Sequence, residues 1–423
     1  MLLSRREAIA GSIALLPSLA LAQNTSAPAG FSIDVPADHD QPRLGRIPLR
    51  CEWGAPPVSG RPTVIAVADA QQYYVRPGGA ARLQADLFGP ALNLLTIVGR
   101  SRSDDLARLV MKPEGTDWNA AYRLLNWKQW ARDIAMVIRR LKLGAHGLGL
   151  YGRSGGAQLI HQYLTLYPET RARVYLQAAV NHELDVRWGV GGDRFWDEFF
   201  GSEPQVAREL LAWVRRNPEQ RRSLILVLQR QHFFETLEGL PAARLSAANA
   251  FLKGDRAAVA EMRARYQIDA IEQTRSTLEG VGGAVRVYEF AASRPDPRGA
   301  SVRLAPTHEA NFYYAHPLAE PGHRPAVPPT DWSRLRVQTA EVLQVAGRHD
   351  HTCDYRTQIG LNGLTRNSRL LILDDDHVFK RWAATKTQPR FLQAYFLHGP
   401  ASGAFQRELD AIESLRWREG SQA

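Results

Sequence analysis

Residues 147–157 read GLGLYGRSGGA. A short apolar segment ends in the pattern Gly-x-Ser-x-Gly around Ser154, and a helix-like segment follows. The order of strand, sharp turn and helix is the setting of a nucleophile elbow, whose serine adopts a strained backbone conformation. Its neighbours must be small, and Gly152 and Gly156 meet this requirement. An ordinary glycine turn fits the same pattern, so the rest of the chain has to support the interpretation.

The chain has 423 residues, enough for a large core, and its 44% hydrophobic and 23% charged residues are ordinary for a globular protein. A net charge of +10 is compatible with a protein that binds nucleic acid or an acidic surface. However, the arginines are spread through the chain and no block of five or six like charges occurs. We therefore expect no nucleic-acid partner, and a small molecule or short peptide as the ligand.

The N-terminus predicts an export signal over residues 1–22. Arg5 and Arg6 precede an apolar run, and residues 20–22 form an A-x-A-like cleavage site. The run is too short to cross a bilayer permanently, so no stable membrane association is expected after its removal. The arginine pair resembles a twin-arginine signal, although the residues after it depart from the usual pattern. We expect a periplasmic or secreted protein, by this route or by ordinary secretion.

Only two cysteines are present, Cys51 and Cys353. An oxidising compartment permits a disulfide, but the sequence cannot place the two cysteines close together, and we favour two buried free thiols over a bridge. No spacing of cysteine and histidine fits a zinc site, so we expect no metal and no cofactor.

Apolar segments that read as buried strands alternate with helical segments as far as about residue 180. The predicted strands are 31–36, 47–53, 63–68, 92–98, 173–179, 342–346 and 369–373, and the predicted helices are 130–141, 157–167, 206–216, 223–240, 257–277 and 405–417. Strands alternating with helices predict an α/β protein with a doubly wound, mostly parallel sheet. The predicted domains are a core that comprises residues 23–180 and 333–423, and a mainly helical cap, residues 181–332, that is inserted before the last strands.

A serine hydroxyl needs a base to remove its proton and a carboxylate to orient that base. Asp350 follows one late strand, and His377 follows the next. Because the carboxyl ends of parallel strands meet at one edge of a sheet, Ser154, Asp350 and His377 are predicted to form a catalytic triad.

Other residues on these loops are alternatives. Asp354 is a second candidate for the acid, and His377 could instead cap a helix beside three aspartates. His349 and His351 share the loop of the acid, whereas the base must come from a separate strand end. As a metal-binding pair they lack a third ligand.

With these motifs, the chain resembles the α/β-hydrolase superfamily, and more narrowly the proline iminopeptidase and tripeptidyl aminopeptidase branch of serine peptidases. The matching segments are 152–156 at the elbow, 347–350 at the acid, 376–377 at the base, 98–103 after the fourth strand and 31–42 near the N-terminus. The resemblance implies an exported serine peptidase, aminopeptidase-like, that acts on short peptides through an acyl-enzyme. A carboxylic-ester hydrolase is the alternative, and a non-catalytic binding protein on a hydrolase scaffold is the second alternative.

One departure concerns the oxyanion hole. The family carries His-Gly-Gly-Pro-Gly after the third strand, whereas residues 68–74 here read ADAQQYY. The backbone N–H of Gly155 is the expected first donor to the oxyanion. Candidates for the second donor are the backbone N–H of Asp69 or Ala70, the side chain of Gln71, and the hydroxyl of Tyr73 or Tyr74.

The cap is expected to select the substrate. The residues expected to contact it are Arg153, Tyr74, Phe312, Tyr313 and Tyr314, although the aromatic stretch 311–316 fits core packing equally well. An aminopeptidase needs carboxylates to hold a free amine, and the sequence does not rank the cap acids Glu183, Asp185, Asp197 and Glu198.

Overall fold

The computed structural model describes residues 30–69, 74–190, 198–199, 201–298 and 304–417. The export signal predicted over residues 1–22 therefore lies outside the described residues.

One sheet of eight strands organises the described chain, in the order β1-β2-β4-β3-β7-β8-β9-β10. These strands are β1 (Phe31–Pro36), β2 (Arg46–Trp53), β3 (Thr63–Val67), β4 (Asn93–Val98), β7 (Leu148–Arg153), β8 (Arg173–Gln177), β9 (Glu341–Gly347) and β10 (Ser368–Leu373), and a small hairpin adds β5 (Met111–Lys112) and β6 (Gly115–Thr116). Within the eight-stranded sheet, β2 pairs antiparallel with both neighbours, while the other pairs are parallel. Every residue of β3 and β4 is buried, as their continuous apolar sequences predict.

The α-helices are α1 (Ala80–Leu83), α2 (Asp104–Val110), α3 (Trp118–Leu125), α4 (Trp127–Arg140), α5 (Gly155–Leu166), α6 (His182–Arg187), α7 (Pro204–Arg216), α8 (Arg221–Phe234), α9 (Leu240–Leu252), α10 (Arg256–Arg265), α11 (Ile268–Gln273), α12 (Leu278–Ala291), α13 (Pro306–Tyr314), α14 (Tyr355–Leu364), α15 (Lys380–Thr385), α16 (Gln388–His398) and α17 (Gly403–Asp410). Shorter helical turns cover Pro42–Leu44, Gln84–Phe88, Arg100–Arg102, Pro218–Gln220, Thr274–Ser276, Trp332–Arg336 and Glu413–Leu415.

Local sequence explains where several helices begin and end. Helix α4 begins earlier than predicted because the Asn126 side chain caps it, accepting from the backbone N–H of Lys128 at 3.1 Å. The predicted helix 257–277 is divided into α10 and α11, since Gln267 adopts a left-handed conformation with φ of 58°. The predicted terminal helix 405–417 is also corrected: α17 ends at Asp410, and Arg416 forms a β-bridge to Leu373.

The sheet separates two apolar clusters. Successive side chains of a strand point to opposite faces, so Ile65 and Val67 join one cluster and Val64 and Ala66 join the other. Between β8 and β9 the described elements are helices, and they surround a third cluster. This strand order, with its single antiparallel strand and its helical insertion, is the α/β-hydrolase fold, so the predicted fold is confirmed.

The two cysteines occupy different clusters. Cys51 lies in the cluster with Ile65 and Cys353 in the other one, and both thiols are free and buried. Among the described helices, none combines the length and apolarity that crossing a membrane requires.

Candidate active site

Ser154 lies at the sharp turn between β7 and α5, with φ of 51° and ψ of −121°. This conformation is rare for a residue with a side chain, and the packing around it maintains the strain. A Cβ atom at Gly152 would lie 2.7 Å from Ile160 Cδ1 and 2.8 Å from the carbonyl oxygen of Gly156. The backbone N–H of Ser154 donates to the carbonyl of Gln177 at 2.8 Å. The turn therefore has the geometry of a nucleophile elbow.

The three residues predicted as a triad form one hydrogen-bonded chain. Ser154 Oγ lies 3.2 Å from His377 Nε2, and His377 Nδ1 lies 2.8 Å from Asp350 Oδ2. Asp350 and His377 are buried. Since Nδ1 faces a carboxylate, it carries a proton, and the neutral ring presents the lone pair of Nε2 to the serine. This arrangement is suited to removing a proton from Ser154.

The carboxylate of Asp350 is held from a second direction. Its Oδ1 accepts from the backbone N–H groups of Thr352 and Cys353, both at 2.8 Å. These two donors fix the plane of the carboxylate. Asp354, the alternative acid, instead caps α14 by accepting from the backbone N–H of Arg356 at 2.9 Å.

The competing histidines have other partners. His349 Nε2 lies 2.8 Å from Asp374 Oδ1, and His351 Nε2 lies 3.4 Å from Glu198 Oε2. Neither partner belongs to the Ser154 chain of hydrogen bonds.

Ligand atoms of Asp350, Cys353 and His377 lie within 4.8 Å of one another, a spacing that a metal ion could use. Burial, and next the charge of Asp350, raise the pKa of the Cys353 thiol well above its ordinary value. A metal needs the thiolate. The donor set is therefore poor for a metal, and Asp350 already accepts three hydrogen bonds.

Three of the predicted oxyanion donors are described, namely Gly155, Asp69 and Tyr74. Gly155 is the first residue of α5, and its backbone N–H has no acceptor among the described residues. Asp69 is buried, and its carboxylate lies 3.2 Å from Arg286 Nε. Ala70, Gln71 and Tyr73 lie outside the described residues, so the predictions for them stay open.

The hydroxyl of Tyr74 is engaged with the backbone. It donates to the carbonyl of Val67 and accepts from the N–H of Arg153 at 3.4 Å. Burial raises the pKa of Tyr74 well above its ordinary value. Tyr74 therefore fixes the end of β3 against the end of β7, and this bonding takes its proton away from an oxyanion.

Sequence reasoning missed Arg286, a buried residue of the cap helix α12. Its guanidinium donates to Asp69 and Glu289, to the carbonyl of Gly155, and to the side chains of Gln158 and Gln162. These bonds connect the cap to the loop after β3 and to the first turns of α5, next to Ser154. A lone arginine in a glycine-rich helix carries no sequence signal of this role.

Ser154 and His377 open into a cavity of about 210 Å³. Among the residues predicted to bind substrate, Arg153, Tyr74 and Tyr314 line it. Phe312 is instead buried in the core, and the Tyr313 hydroxyl donates to Glu309 Oε1 at 2.9 Å. Within the stretch 311–316, Asn311 and Tyr314 therefore line the cavity, whereas Phe312 packs in the core.

The structure assigns partners to most of the cap acids. Glu183 accepts from the indole N–H of Trp332 at 2.9 Å, and Asp185 lies 2.8 Å from His182 Nδ1. Glu198 is the neighbour of His351 already described, and Asp197 lies outside the described residues.

Helix α8 of the cap packs against the loop that carries His377. The ring centres of Phe233 and His377 are 5.4 Å apart. Lys380 Nζ donates to the carbonyls of His232 at 3.0 Å and Glu235 at 2.6 Å, and to Asp376 Oδ2 at 2.7 Å. This ammonium bridges the C-terminal end of α8 to the loop that carries His377.

No protein-family model and no curated protein matches this sequence. Among solved structures, an esterase from Exiguobacterium antarcticum is similar over 86% of this chain and 100% of its own, at 14% identity and a TM-score of 0.43. A bromoperoxidase from Bacillus anthracis is similar over 84% and 96%, at 15% identity and a TM-score of 0.39. A meta-cleavage product hydrolase from Pseudomonas fluorescens is similar over 82% and 94%, at 12% identity and a TM-score of 0.40. These similarities concern the fold, and no activity follows from them.

Proposed function

We propose that this protein is a serine hydrolase in which Ser154, His377 and Asp350 act as a catalytic triad. The observation that carries the proposal is the continuous chain of hydrogen bonds from Ser154 Oγ through His377 to Asp350, at 3.2 and 2.8 Å. This series of hydrogen bonds begins at the strained turn around Ser154, and Ser154 and His377 face a cavity of about 210 Å³.

In this mechanism Ser154 Oγ attacks the substrate carbonyl while His377 Nε2 takes its proton. Asp350 keeps the proton on Nδ1 and stabilises the imidazolium that forms. The tetrahedral oxyanion accepts from the backbone N–H of Gly155, at the positive end of α5. His377 then protonates the leaving group, and a water molecule hydrolyses the acyl-enzyme by the same steps in reverse.

For the substrate, the charges around the cavity favour a carboxylic ester over a free amine. Among the described lining residues, the arginines are Arg76, Arg153 and Arg230, and the carboxylate is Glu279. Glu279 already accepts from Arg102 at 2.6 Å. An aminopeptidase has to hold the ammonium group of its substrate with carboxylates. In this lining, three guanidinium groups repel an ammonium group and one carboxylate attracts it.

An aminopeptidase-like activity on short peptides is the second candidate, supported by the sequence resemblance rather than by the lining. Export to the periplasm or medium, by the twin-arginine or ordinary route, belongs to the same proposal, as does the absence of a cofactor.

The proposal is tested by labelling the purified protein with a fluorophosphonate. Wild type should be labelled, and Ser154→Ala and His377→Ala should not. Ser293→Ala and His349→Ala are matched controls outside the hydrogen-bonded chain, and both should be labelled as wild type. A folded wild type that resists labelling would overturn the catalytic proposal in favour of a binding role.

Substrate class is tested separately, with 4-nitrophenyl esters against aminoacyl 4-nitroanilides. Faster turnover of the esters supports the ester hydrolase. Faster turnover of anilides that carry a free amine would establish the second candidate instead.

A further inference from the structure

A second histidine–aspartate pair lines the same cavity. His182 is the first residue of α6, it is 6% exposed, and its side chain is part of the cavity lining. His182 Nδ1 lies 2.8 Å from Asp185 Oδ2. Asp185 is itself fixed, because it accepts from Arg294 at 3.1 Å and from the hydroxyl of Thr357. The triad does not use this pair.

The partners of Asp185 determine what His182 offers to a ligand. A carboxylate beside Nδ1 keeps the proton on that nitrogen, so Nε2 of the neutral ring is a hydrogen-bond acceptor. Nε2 makes no hydrogen bond with any described residue, and it is not enclosed as a buried unpaired atom. It therefore presents an acceptor to the cavity.

Two cap residues add polar groups to this lining. Gln229 of α8 is 7% exposed, and its Oε1 is buried with no hydrogen-bond partner among the described residues. Asn311 of α13 also lines the cavity. A buried amide oxygen without a partner is costly, so a ligand group that donates to it compensates that cost. We call His182, Gln229 and Asn311 the polar lining.

We infer that the polar lining binds an aliphatic hydroxyl of the substrate, so that the natural substrate is a hydroxyl-bearing carboxylic ester; this inference rests on the proposed function of Ser154. A hydroxyl both donates and accepts, which suits a lining that offers imidazole and amide acceptors together with amide donors. A carboxylate would place its oxygens against the acceptors of His182 and Gln229. An ammonium would face the arginines that line the cavity.

The hydroxyl can belong to the acyl part or to the alcohol part of the ester, and two substrate pairs separate these cases. The acyl pair is 4-nitrophenyl 3-hydroxybutyrate and 4-nitrophenyl butyrate. The alcohol pair is 2-hydroxyethyl butyrate and ethyl butyrate, and its hydrolysis is measured from the acid released. One hydrogen bond predicts about a tenfold higher kcat/KM for the hydroxylated member of one pair. Equal kcat/KM within both pairs would overturn the inference.

His182→Phe tests the assignment, because it keeps a ring beside Phe290 and removes the acceptor. The tenfold preference should fall to about one, because the hydroxylated ester loses more kcat/KM than the unhydroxylated ester does. His308→Phe makes the same chemical change outside the cavity lining and should keep the preference. Gln229→Met removes the amide at similar volume and provides the same test if His182→Phe does not fold. A tenfold preference for the hydroxylated ester that remains in both variants would contradict the assignment of the polar lining as the hydroxyl site.

Binding separates failure of this inference from failure of the proposed function. In Ser154→Ala, which has no nucleophile, ligand-observed NMR compares ethyl 3-hydroxybutyrate with ethyl butyrate and 2-hydroxyethyl butyrate. Tighter binding of one hydroxylated ester, lost on adding His182→Phe, supports the hydroxyl site even if wild type resists fluorophosphonate. Equal binding of all three overturns it even if the enzyme is active.

Discussion

Arg286 Nε lies 3.2 Å from Asp69 Oδ2, and both side chains are 1% exposed. This ion pair joins the cap helix α12 to the loop that follows β3. Glu289 adds a second carboxylate at 2.7 Å. Burial raises the pKa of Glu289, although the charge of Arg286 opposes the shift. One guanidinium thus compensates two buried carboxylates beside the elbow.

Arg286→Gln should lower the free energy of unfolding by about 3–5 kcal/mol, because it leaves buried carboxylates without their cation. Arg286→Gln combined with Asp69→Asn should cost less than the sum of the single changes. Urea unfolding of the three variants measures both effects. The exposed Arg82→Gln, a control from an i,i+4 surface pair, should cost less than about 1 kcal/mol. Additive costs would contradict the pairing.

Asp350→Asn should lower kcat by about 10⁴-fold while the fold persists. An amide cannot accept from two backbone N–H groups and from His377 Nδ1 together, so the imidazole loses its fixed tautomer. Steady-state hydrolysis of 4-nitrophenyl acetate measures the loss. Asp354→Asn is the matched control, since Asp354 caps α14, and it should retain most of the activity. A larger loss in Asp354→Asn would identify Asp354 as the acid.

Gly347→Ala should impair both folding and activity. A Cβ atom there would lie 2.5 Å from the carbonyl oxygen of Asp376 and 2.7 Å from that of Asp375, so the loop carrying His377 has to move. We expect a loss of about 1–3 kcal/mol in unfolding free energy and at least tenfold in kcat. Gly363→Ala, in helix α14 with open space around it, should instead be neutral or slightly stabilising. Equal effects of the two changes in thermal unfolding would refute this explanation.

His161 should make the protein sensitive to acid. Burial lowers the pKa of this fully buried residue of α5 to about 3, from 6.5 in the ordinary case. Between these values the unfolded chain binds a proton and the folded chain does not. The contribution to stability is therefore present above pH 6.5 and is lost as the pH falls towards 3, at up to about 1.4 kcal/mol per pH unit.

His161→Met removes this titration at similar volume. The variant should lose about 2 kcal/mol less unfolding free energy than wild type between pH 7 and pH 5, in urea titrations at each pH. The exposed His146→Met is the control and should follow wild type. An unchanged pH dependence in His161→Met would show that the folded protein accommodates the charged ring.

The sequence alone predicted the fold and the residues that meet at the elbow. Local chemistry suffices for this: glycines around Ser154 permit the strained turn, and apolar runs followed by Asp350 and His377 mark the carboxyl ends of two strands. Since parallel strands end at one edge of a sheet, three distant positions are brought together by topology.

The boundaries of the cap helices and most of the cavity lining beyond Arg153, Tyr74 and Tyr314 could not be predicted from the sequence. Gln267 interrupts a helix whose propensity is continuous, and Phe312, next to Asn311, turns into the core while Asn311 lines the cavity. The role of Arg286 depends on Asp69, which is 217 positions away. His182 and Asp185 are three positions apart, but only the tertiary structure brings His182 to the cavity. Periodicity and local propensity act over a few residues, whereas a buried ion pair is selected by packing of the whole chain. That packing, and not the motif at Ser154, decides which side chains line the cavity.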